Sequence, residues 1–501
     1  FVNLDSIEYI TRDSSATYLL SQGKWLFERI DPLIFGKVFS AGVTVPIATI
    51  TLALTAAITT SVLKIQHSAW AAFIGSFLVL FPSVFCTYSF YAATYFFALL
   101  LAAVSVYVTD RWRWGWIAGI ATLTCALGIY AVYIGYAAGL FLILCMLRCL
   151  DNKEPLKTVY RKAAIYLAVL LVSIVLYYAI LKLFLAAYGI TLSGYRGIDQ
   201  FGSVNVQALP NLVINAYQKV WYFFRHGIYL EYSSYRLSFG LLNKVTALLC
   251  VIASLLLLIF NKGYRNGFKA ATFLLFALLF PLAIHAIAVL GQNQYTHWMM
   301  IAPFVLGFIY MIALADHIGW GAAKVVAQTG KQAHGKKLKN VLTGVTAGAV
   351  LLTSILLSQQ WFILTNTAYE KLRSSYESTY AAGVMLANDI KKTEDFSQDM
   401  PVAFVGDETP EIFQHSLSYY GDLECYLGMQ EIIHDTDRTE ALMYNFIGMP
   451  FTFATDDKIN ELSGSEAVID MPVYPETGAI QTIDGVLVVK LSDITIDRPN
   501  S

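Results

Sequence analysis

Long apolar runs, each broken by a short polar stretch, set the pattern of this chain. A membrane-crossing helix needs about 20 mostly apolar residues. About ten segments approach that criterion: 38-62, 69-86, 91-109, 114-130, 131-148, 163-186, 240-260, 268-290, 297-315 and 341-362. Almost nothing separates the two members of the pair over 114-148.

The polar stretches between the runs are sorted by charge. Lys64 stands in one short loop, and Arg111 with Arg113 in another. Arg148, Lys153, Lys157, Arg161 and Lys162 follow, then Lys262, Arg265 and Lys269. Lys324, Lys331, Lys336, Lys337 and Lys339 form the last cluster. These clusters fall on alternate loops, while loops 87-91 and 291-296 carry no Lys or Arg. The positive-inside rule puts the basic loops in the cytoplasm. Residues 1-37, loop 187-239 and the tail from about 363 are then expected outside. The chain opens there at Phe1, without Met and without a secretory signal, which leads us to expect one more helix ahead of it.

The expected fold is a polytopic α-helical membrane protein with a small C-terminal extracytoplasmic α/β domain. Residues 1-37 form an external loop with interfacial helices. Residues 38-362 form the transmembrane bundle, with 187-239 as its long external loop, and 363-501 the soluble domain. The first and second of the outer stretches read as helices lying in the interface. Ile7, Tyr9, Tyr18, Trp25 and Ile30 alternate with polar residues in the first. In loop 187-239, Leu209, Leu212, Val213, Ala216, Tyr217, Val220, Trp221 and Phe224 recur at helical spacing. In the tail, 367-391 reads as a helix, and Val402-Val405, Ala467-Ile469 and Gly485-Leu491 are short apolar runs between turn residues.

Composition agrees with a bilayer as solvent. Charged residues make up 14% of the chain and hydrophobic ones 57%, against roughly 25% charged in soluble domains. A net charge of -1 gives no sign of nucleic acid as a partner. The six cysteines show no metal-ligand or disulfide spacing, and Gly135 and Gly139 are spaced for close helix packing.

Ionisable groups are sparse inside the runs, which speaks against an ion-coupled transporter. Polar residues gather instead on the expected outer face. Asp5, Glu8 and Asp13 come first, and Tyr88, Tyr91, Tyr95, Tyr130 and Tyr133 line helix ends. Tyr195 and Arg196 stand in a Gly-flanked loop, Arg225 ends a helical stripe, and His297 opens a span. This mixture suits transfer of a sugar from a lipid phosphate. Such a reaction needs a base for the acceptor hydroxyl and donors or cations for the departing phosphate. Asp5 is the candidate base. Glu8, three residues on, is a second acid or a capping partner. Tyr195, Arg196, Arg225 and His297 are candidates for the phosphate, with interface anchoring as the alternative for Arg196 and plain packing for His297. Trp25, Tyr91, Tyr130 and Tyr133 are candidates for stacking on sugar rings.

Several segments carry a resemblance. They are Asn3-Leu4-Asp5-Ser6, Ser21-Gln22-Gly23-Lys24-Trp25, Leu127-Gly128-Ile129-Tyr130 with Tyr133, His297-Trp298-Met299-Met300, and Asn366-Thr367-Ala368-Tyr369. In this order the chain resembles the bacterial type II O-antigen glucosyltransferases, a family of the GT-C fold class. The resemblance implies a GT-C-like glycosyltransferase in the bacterial cytoplasmic membrane, multi-pass, with its C-terminal domain outside. It implies a polyprenyl-phosphate-linked sugar, typically glucose, as donor and a surface glycan or its lipid-linked precursor as acceptor. It also places a catalytic acid in the first external loop, where Asp5 lies. Two positions depart from the family's pattern: Ala131 stands where Gln is expected, and the stretch Tyr91-Ala92-Ala93-Thr94-Tyr95 lacks an expected acid. A second acid then falls to Glu8, Asp13 or Asp199. The metal requirement is open: no cofactor is fixed by the sequence, and a divalent cation, Mg or Mn, is compatible with it. The alternative function is a lipid or glycan transporter or flippase that makes no glycosidic bond.

Overall fold

The computed structural model describes residues 18–35, 40–87, 89–194, 207–227, 240–290, 298–328, 334–406, 436–449 and 451–493. These fall into two compact units, one up to Thr365 and one from Asn366 onward.

The first unit is helical. It opens with α1 (Tyr18–Ser21) and α2 (Phe27–Phe35). The bundle follows with α3 (Ala41–Leu63), α4 (Ser68–Leu80), α5 (Pro82–Phe85), α6 (Ser89–Arg111), α7 (Gly115–Ile129), α8 (Ile134–Asp151) and α9 (Leu156–Tyr188). Then come α10 (Leu209–His226), α11 (Gly240–Phe260), α12 (Gly267–Ile284), α13 (Ala286–Leu290), α14 (Val305–Gln328) and α15 (His334–Lys392).

Eight of the described helical stretches are long and apolar enough to cross a membrane, those of α3, α6, α8, α9, α11, α12, α14 and α15. Two apolar stretches expected as spans are shorter. Ser68–Val84 is broken at Phe81, which adopts an extended conformation (ψ 136°) ahead of Pro82; the proline ring disfavours helical backbone in the residue before it. Helix α7 has 15 residues, a rise of about 22 Å against a hydrocarbon core of roughly 30 Å. The tight pair 114-148 resolves into α7, an extended Tyr130 (φ -155°), a 3₁₀ turn Ala131–Tyr133, and α8.

Small residues let these helices touch. A Cβ on Gly119 would stand 2.0 Å from Thr109 Oγ1, so α7 and α6 meet backbone against side chain. A Cβ on Gly135 would stand 2.7 Å from Ile284 O, and one on Gly139 equally close to Ile284 Cγ2 and Leu306 Cδ1. The GxxxG spacing of α8 therefore serves contact with α12 and α14.

Helix α10 is amphipathic as expected, but its buried stripe is Leu212, Ala216, Lys219, Val220 and Phe223, while Trp221 points outward. Phe223 enters an aromatic core with Phe81, Phe304 and Phe308.

Helix α15 joins the last apolar run and the expected tail helix in one element of 59 residues. No Gly or Pro occurs from Ala349 to Ala382 to interrupt it.

The second unit is a small α/β domain. Its elements after α15 are β1 (Pro401–Val405), α16 (Thr436–Ala441), β2 (Thr452–Phe453), α17 (Asp456–Ser463), α18 (Glu466–Ile469), β3 (Ile480–Ile483) and β4 (Val486–Lys490). The sheet order is β2-β1-β4-β3. Strand β1 runs parallel to both neighbours, with Val402 opposite Leu487, and β3 and β4 form an antiparallel hairpin. Strand β4 is buried along its whole length, which explains the unbroken apolar run of Val486 to Val489. Ala467-Ile469 lies in a helix rather than a strand.

Candidate active site

The end of the first unit opposite the Lys/Arg-rich loops is closed by residues 18–35. The chain turns at Gly23, whose φ of 78° suits glycine. Three hydrogen bonds fasten this turn. Leu26 N–H donates to Gly128 O (2.9 Å), Tyr177 O–H to Gly23 O (3.0 Å) and Ser193 N–H to Ser21 O (3.0 Å). The Trp25 indole packs on bare backbone, because a Cβ on Gly128 would lie 2.5 Å from its ring. It also stacks on Phe184, with centroids 5.7 Å apart.

An aromatic layer continues from there. Phe27, fully buried, meets Tyr91 edge-on at 4.9 Å and Tyr95 at 5.4 Å. Tyr95 stacks on Tyr130 at 4.4 Å, and Tyr130 meets Tyr133 edge-on at 5.4 Å. Lys24 Nζ donates to Tyr95 Oη (3.0 Å) and Gln22 Oε1 (2.8 Å), placing an ammonium at the edge of the layer. The structure thus brings Trp25, Tyr91, Tyr130 and Tyr133 to one place, each 9% exposed or less.

Two carboxyl groups share this place. Glu28 Oε1 accepts the Leu20 N–H at 2.8 Å. Burial pushes its pKa up to about 7, against the lowering pull of backbone N–H groups and of Arg29 and Lys24. Asp31 is 1% exposed. Thr94 Oγ1 donates to Asp31 Oδ1, while Oδ2 is buried without a hydrogen bond among the described residues. Burial raises this carboxyl to about 6. Acids poised near neutrality can take a proton from a hydroxyl or return one to a leaving group. Arg29 donates to Tyr188 Oη and lies over the Tyr188 ring, 5.3 Å from its centroid.

Asp5, Glu8, Tyr195, Arg196 and His297 lie outside the described residues. Arg225 stands exposed in the last turn of α10, with no ion pair among the described residues. Its helix packs on α13, whose Ala286, Ile287 and Leu290 join the apolar cluster around Trp25. Among the described residues, no group of three His, Cys, Asp or Glu side chains could hold a metal ion.

Lys24, Glu28 and Asp31 escaped the sequence reading. Their signal was present: Glu28 and Asp31 are three apart on one helix, and Lys24 lies four residues before Glu28. Nothing in that spacing separates them from the solvated face of an interfacial helix.

Comparison with known proteins adds one finding. A family model described as Glucosyl transferase GtrII matches residues 1–314. No curated protein and no solved structure matches the chain.

Proposed function

The chain belongs to the GtrII glucosyl transferase family, and on that premise we propose that it is a GT-C-type enzyme moving a hexose, glucose in the first instance, from a polyprenyl-phosphate donor to a surface glycan such as O-antigen or its lipid-linked precursor. The membrane is the bacterial cytoplasmic membrane, and the reaction runs at its outer face. The Lys/Arg-rich loops mark the cytoplasmic side, so the end bearing Trp25 and Asp31 faces out, as does the C-terminal domain.

In this reading Asp5 takes the proton of the acceptor hydroxyl as its oxygen bonds to the anomeric carbon. The bond from that carbon to the lipid phosphate breaks, and the phosphate leaves with the electron pair. Direct displacement inverts the anomeric centre. Arg196, Arg225, His297 and Tyr195 balance or hydrogen-bond the phosphate. Glu8 supplies the second acid. Trp25, Tyr91, Tyr130 and Tyr133 form the wall against which the sugars bind.

The observation that carries the reading is the meeting of aromatic rings, an ammonium and two carboxyls poised near neutrality at one end of a helical bundle. Its test uses membranes containing the full chain, labelled polyprenyl-phosphate glucose and an acceptor glycan. Label appears in the glycan with the wild type and falls at least ~100-fold with Asp5→Asn, the typical worth of a general base. Undiminished transfer by Asp5→Asn removes that residue as the base. Movement of the lipid across the bilayer without label in the glycan would make the chain a transporter.

A further inference from the structure

An exposed aromatic and basic hairpin joins α6 to α7 at the Lys/Arg-rich end of the first unit. Helix α6 ends at Arg111 and α7 starts at Gly115, so three residues, Trp112 to Trp114, make the whole turn. Trp112 N–H donates to Val108 O, and Gly115 N–H to Trp112 O. A Cβ on Gly115 would stand 1.7 Å from Val108 O, so glycine lets the chain reverse this tightly. A turn of that length has no interior to receive its side chains. Trp112 is 57% exposed, Trp114 64% and Trp116 38%. Arg111 and Arg113 are exposed beside them, and the Arg113 guanidinium lies over the Trp114 ring, 5.6 Å from its centroid.

The carboxylates at this end already have partners. Asp110, one residue before the hairpin, is turned inward, its side chain 13% exposed. Its Oδ1 accepts from Arg148 (2.5 Å), Tyr166 (2.5 Å) and Lys162 (3.1 Å). Asp151, Glu154 and Asp316 pair with Lys153, Arg148 and His67. Lys162 also donates to Asp110 O (3.0 Å), which holds the first turns of α9 against the end of α6. Lys157 and Arg161, four apart on α9, are exposed at this same end. Arg111, Arg113, Lys157 and Arg161 make no ion pair among the described residues.

Water is a poor surrounding for this hairpin. Three large rings held out by a short turn keep a contiguous apolar surface wet, and such patches mark contact with a partner or a membrane. The stretch Tyr91–Arg111 of α6 is long and apolar enough to cross a bilayer, and it runs up to the hairpin. Trp112 meets Tyr107 of that stretch edge-on, with centroids 6.0 Å apart. The exposed rings and cations therefore stand where a spanning helix leaves the hydrocarbon. Indoles favour that level, because the ring is apolar and its N–H is polar.

We propose that this hairpin is a binding surface for anionic phospholipid, a bilayer phosphodiester whose headgroup carries no amine. Arg111 and Arg113 take the phosphate, and the Trp112, Trp114 and Trp116 rings lie where headgroups meet acyl chains. Lys157 and Arg161 add to the attraction from α9. A guanidinium presents a planar fork of N–H donors that matches phosphate oxygens, and each cation near an anionic surface adds to the attraction. Charge decides the lipid class. A choline or ethanolamine headgroup brings a cation of its own, and the carboxylate nearest in sequence, Asp110, is held inward by Arg148 and Lys162. The inference is independent of the glucosyl-transfer reading.

The test is native mass spectrometry of the full chain released from nanodiscs of phosphatidylglycerol, phosphatidylethanolamine and phosphatidylcholine with identical acyl chains. Phosphatidylglycerol should be retained in preference to the other two. Arg111→Gln combined with Arg113→Gln should lower that preference roughly 10-fold, as expected for two cations near an anionic surface. Both side chains are exposed, so the fold has little stake in them. Lys157→Gln with Arg161→Gln is the second variant, and it should lower the preference in the same direction. Lys262→Asn with Arg265→Gln removes two charges from another basic loop and should cost clearly less. Equal retention of the three lipids, an unchanged preference in both hairpin-end variants, or a loss as large in the Lys262/Arg265 control would overturn the proposal; the last would mean that net charge alone, not this hairpin, attracts the lipid.

Discussion

Thr94 hydroxyl donates to one oxygen of the buried Asp31 carboxyl and leaves the other without a hydrogen bond among the described residues. Thr94 lies on the apolar helix α6 and Asp31 on the short α2, so the pair joins the covering segment to the bundle. A single hydroxyl does not replace the water that an ionised carboxylate loses on burial. The proton is therefore held more tightly than in solution.

Stability should follow that proton. Asp31 has its folded pKa raised from 3.8 to about 6. The folded state then binds more protons than the unfolded state between those values. The contribution is fully present below the unfolded pKa and is lost as pH rises through the folded one. Glu28, raised to about 7, acts in the same direction. We expect the thermal midpoint in detergent to fall from pH 5 to pH 8. Asp31→Asn keeps an acceptor for Thr94 and removes the ionisation. It should stabilise the protein by up to about 3 kcal/mol at pH 8 and make little difference near pH 4. An equal effect of the substitution at both pH values would show that Asp31 is not a buried, protonating acid.

Gly128 gives a second prediction. Its bare Cα is the surface on which Trp25 rests, and alanine there would force the indole away from its contact with Phe184. Leu26 N–H, which donates to Gly128 O, would move with it. Gly128→Ala should cost about 1–3 kcal/mol, as overpacking does, and lower glucosyl transfer with it. Trp25→Phe combined with Gly128→Ala should recover part of the loss, because the smaller ring vacates the clashing atoms. A double variant no better than the single one would rule out this steric cause.

The spans were legible because a bilayer demands long apolar runs, and charge sorting reinforced them. What the sequence could not show was which runs form the shorter helices. Pro82 marks the break after α4, but α7 has no breaker before Tyr130, which turns extended just after Gly128, on which Trp25 rests. Part of the candidate site's arrangement was legible in its aromatics, since Tyr91, Tyr130 and Tyr133 meet in one layer through Tyr95 and Trp25 packs next to it on Gly128. Asp31 was not. Beside Arg29 and Pro32 it reads as a surface acid, and only the packing of α2 against α6 sets it apart.

At the opposite end of the unit, Asp110 gathers Arg148, Lys162 and the Tyr166 hydroxyl, at 2.5, 3.1 and 2.5 Å. This ties α6, α8 and α9 together where they reach the basic loops. Asp110→Asn would keep a polar side chain but take the Asp110 charge from Lys162 and leave Arg148 only the longer pair with Glu154. Removing one partner of a mostly buried pair should cost about 2–4 kcal/mol, somewhat discounted for partial exposure. Arg148→Met added to Asp110→Asn should restore stability relative to the single variant. If the double variant is the less stable of the two, the uncompensated charge is not the cause.

The α/β unit offers a test of its own. Lys490 lies on the buried strand β4, and its side chain is 3% exposed. Its ammonium donates to Ile469 O at 2.7 Å and to Met471 O at 2.8 Å, with Asp493 at 3.2 Å. Ile469 ends α18, so the lysine satisfies a carbonyl that the helix leaves open. Lys490→Met would fill the space of the stem and abandon both carbonyls. The expected cost is about 2–4 kcal/mol, from two buried acceptors left unpaired. Hydrogen exchange on the full chain reads the effect locally. Amides of β1, β3 and β4 should exchange faster in the variant, while those of α6 and α8 stay as protected as before. Unchanged protection of the three strands would show that the lysine stem, not its ammonium, holds α18 to the sheet.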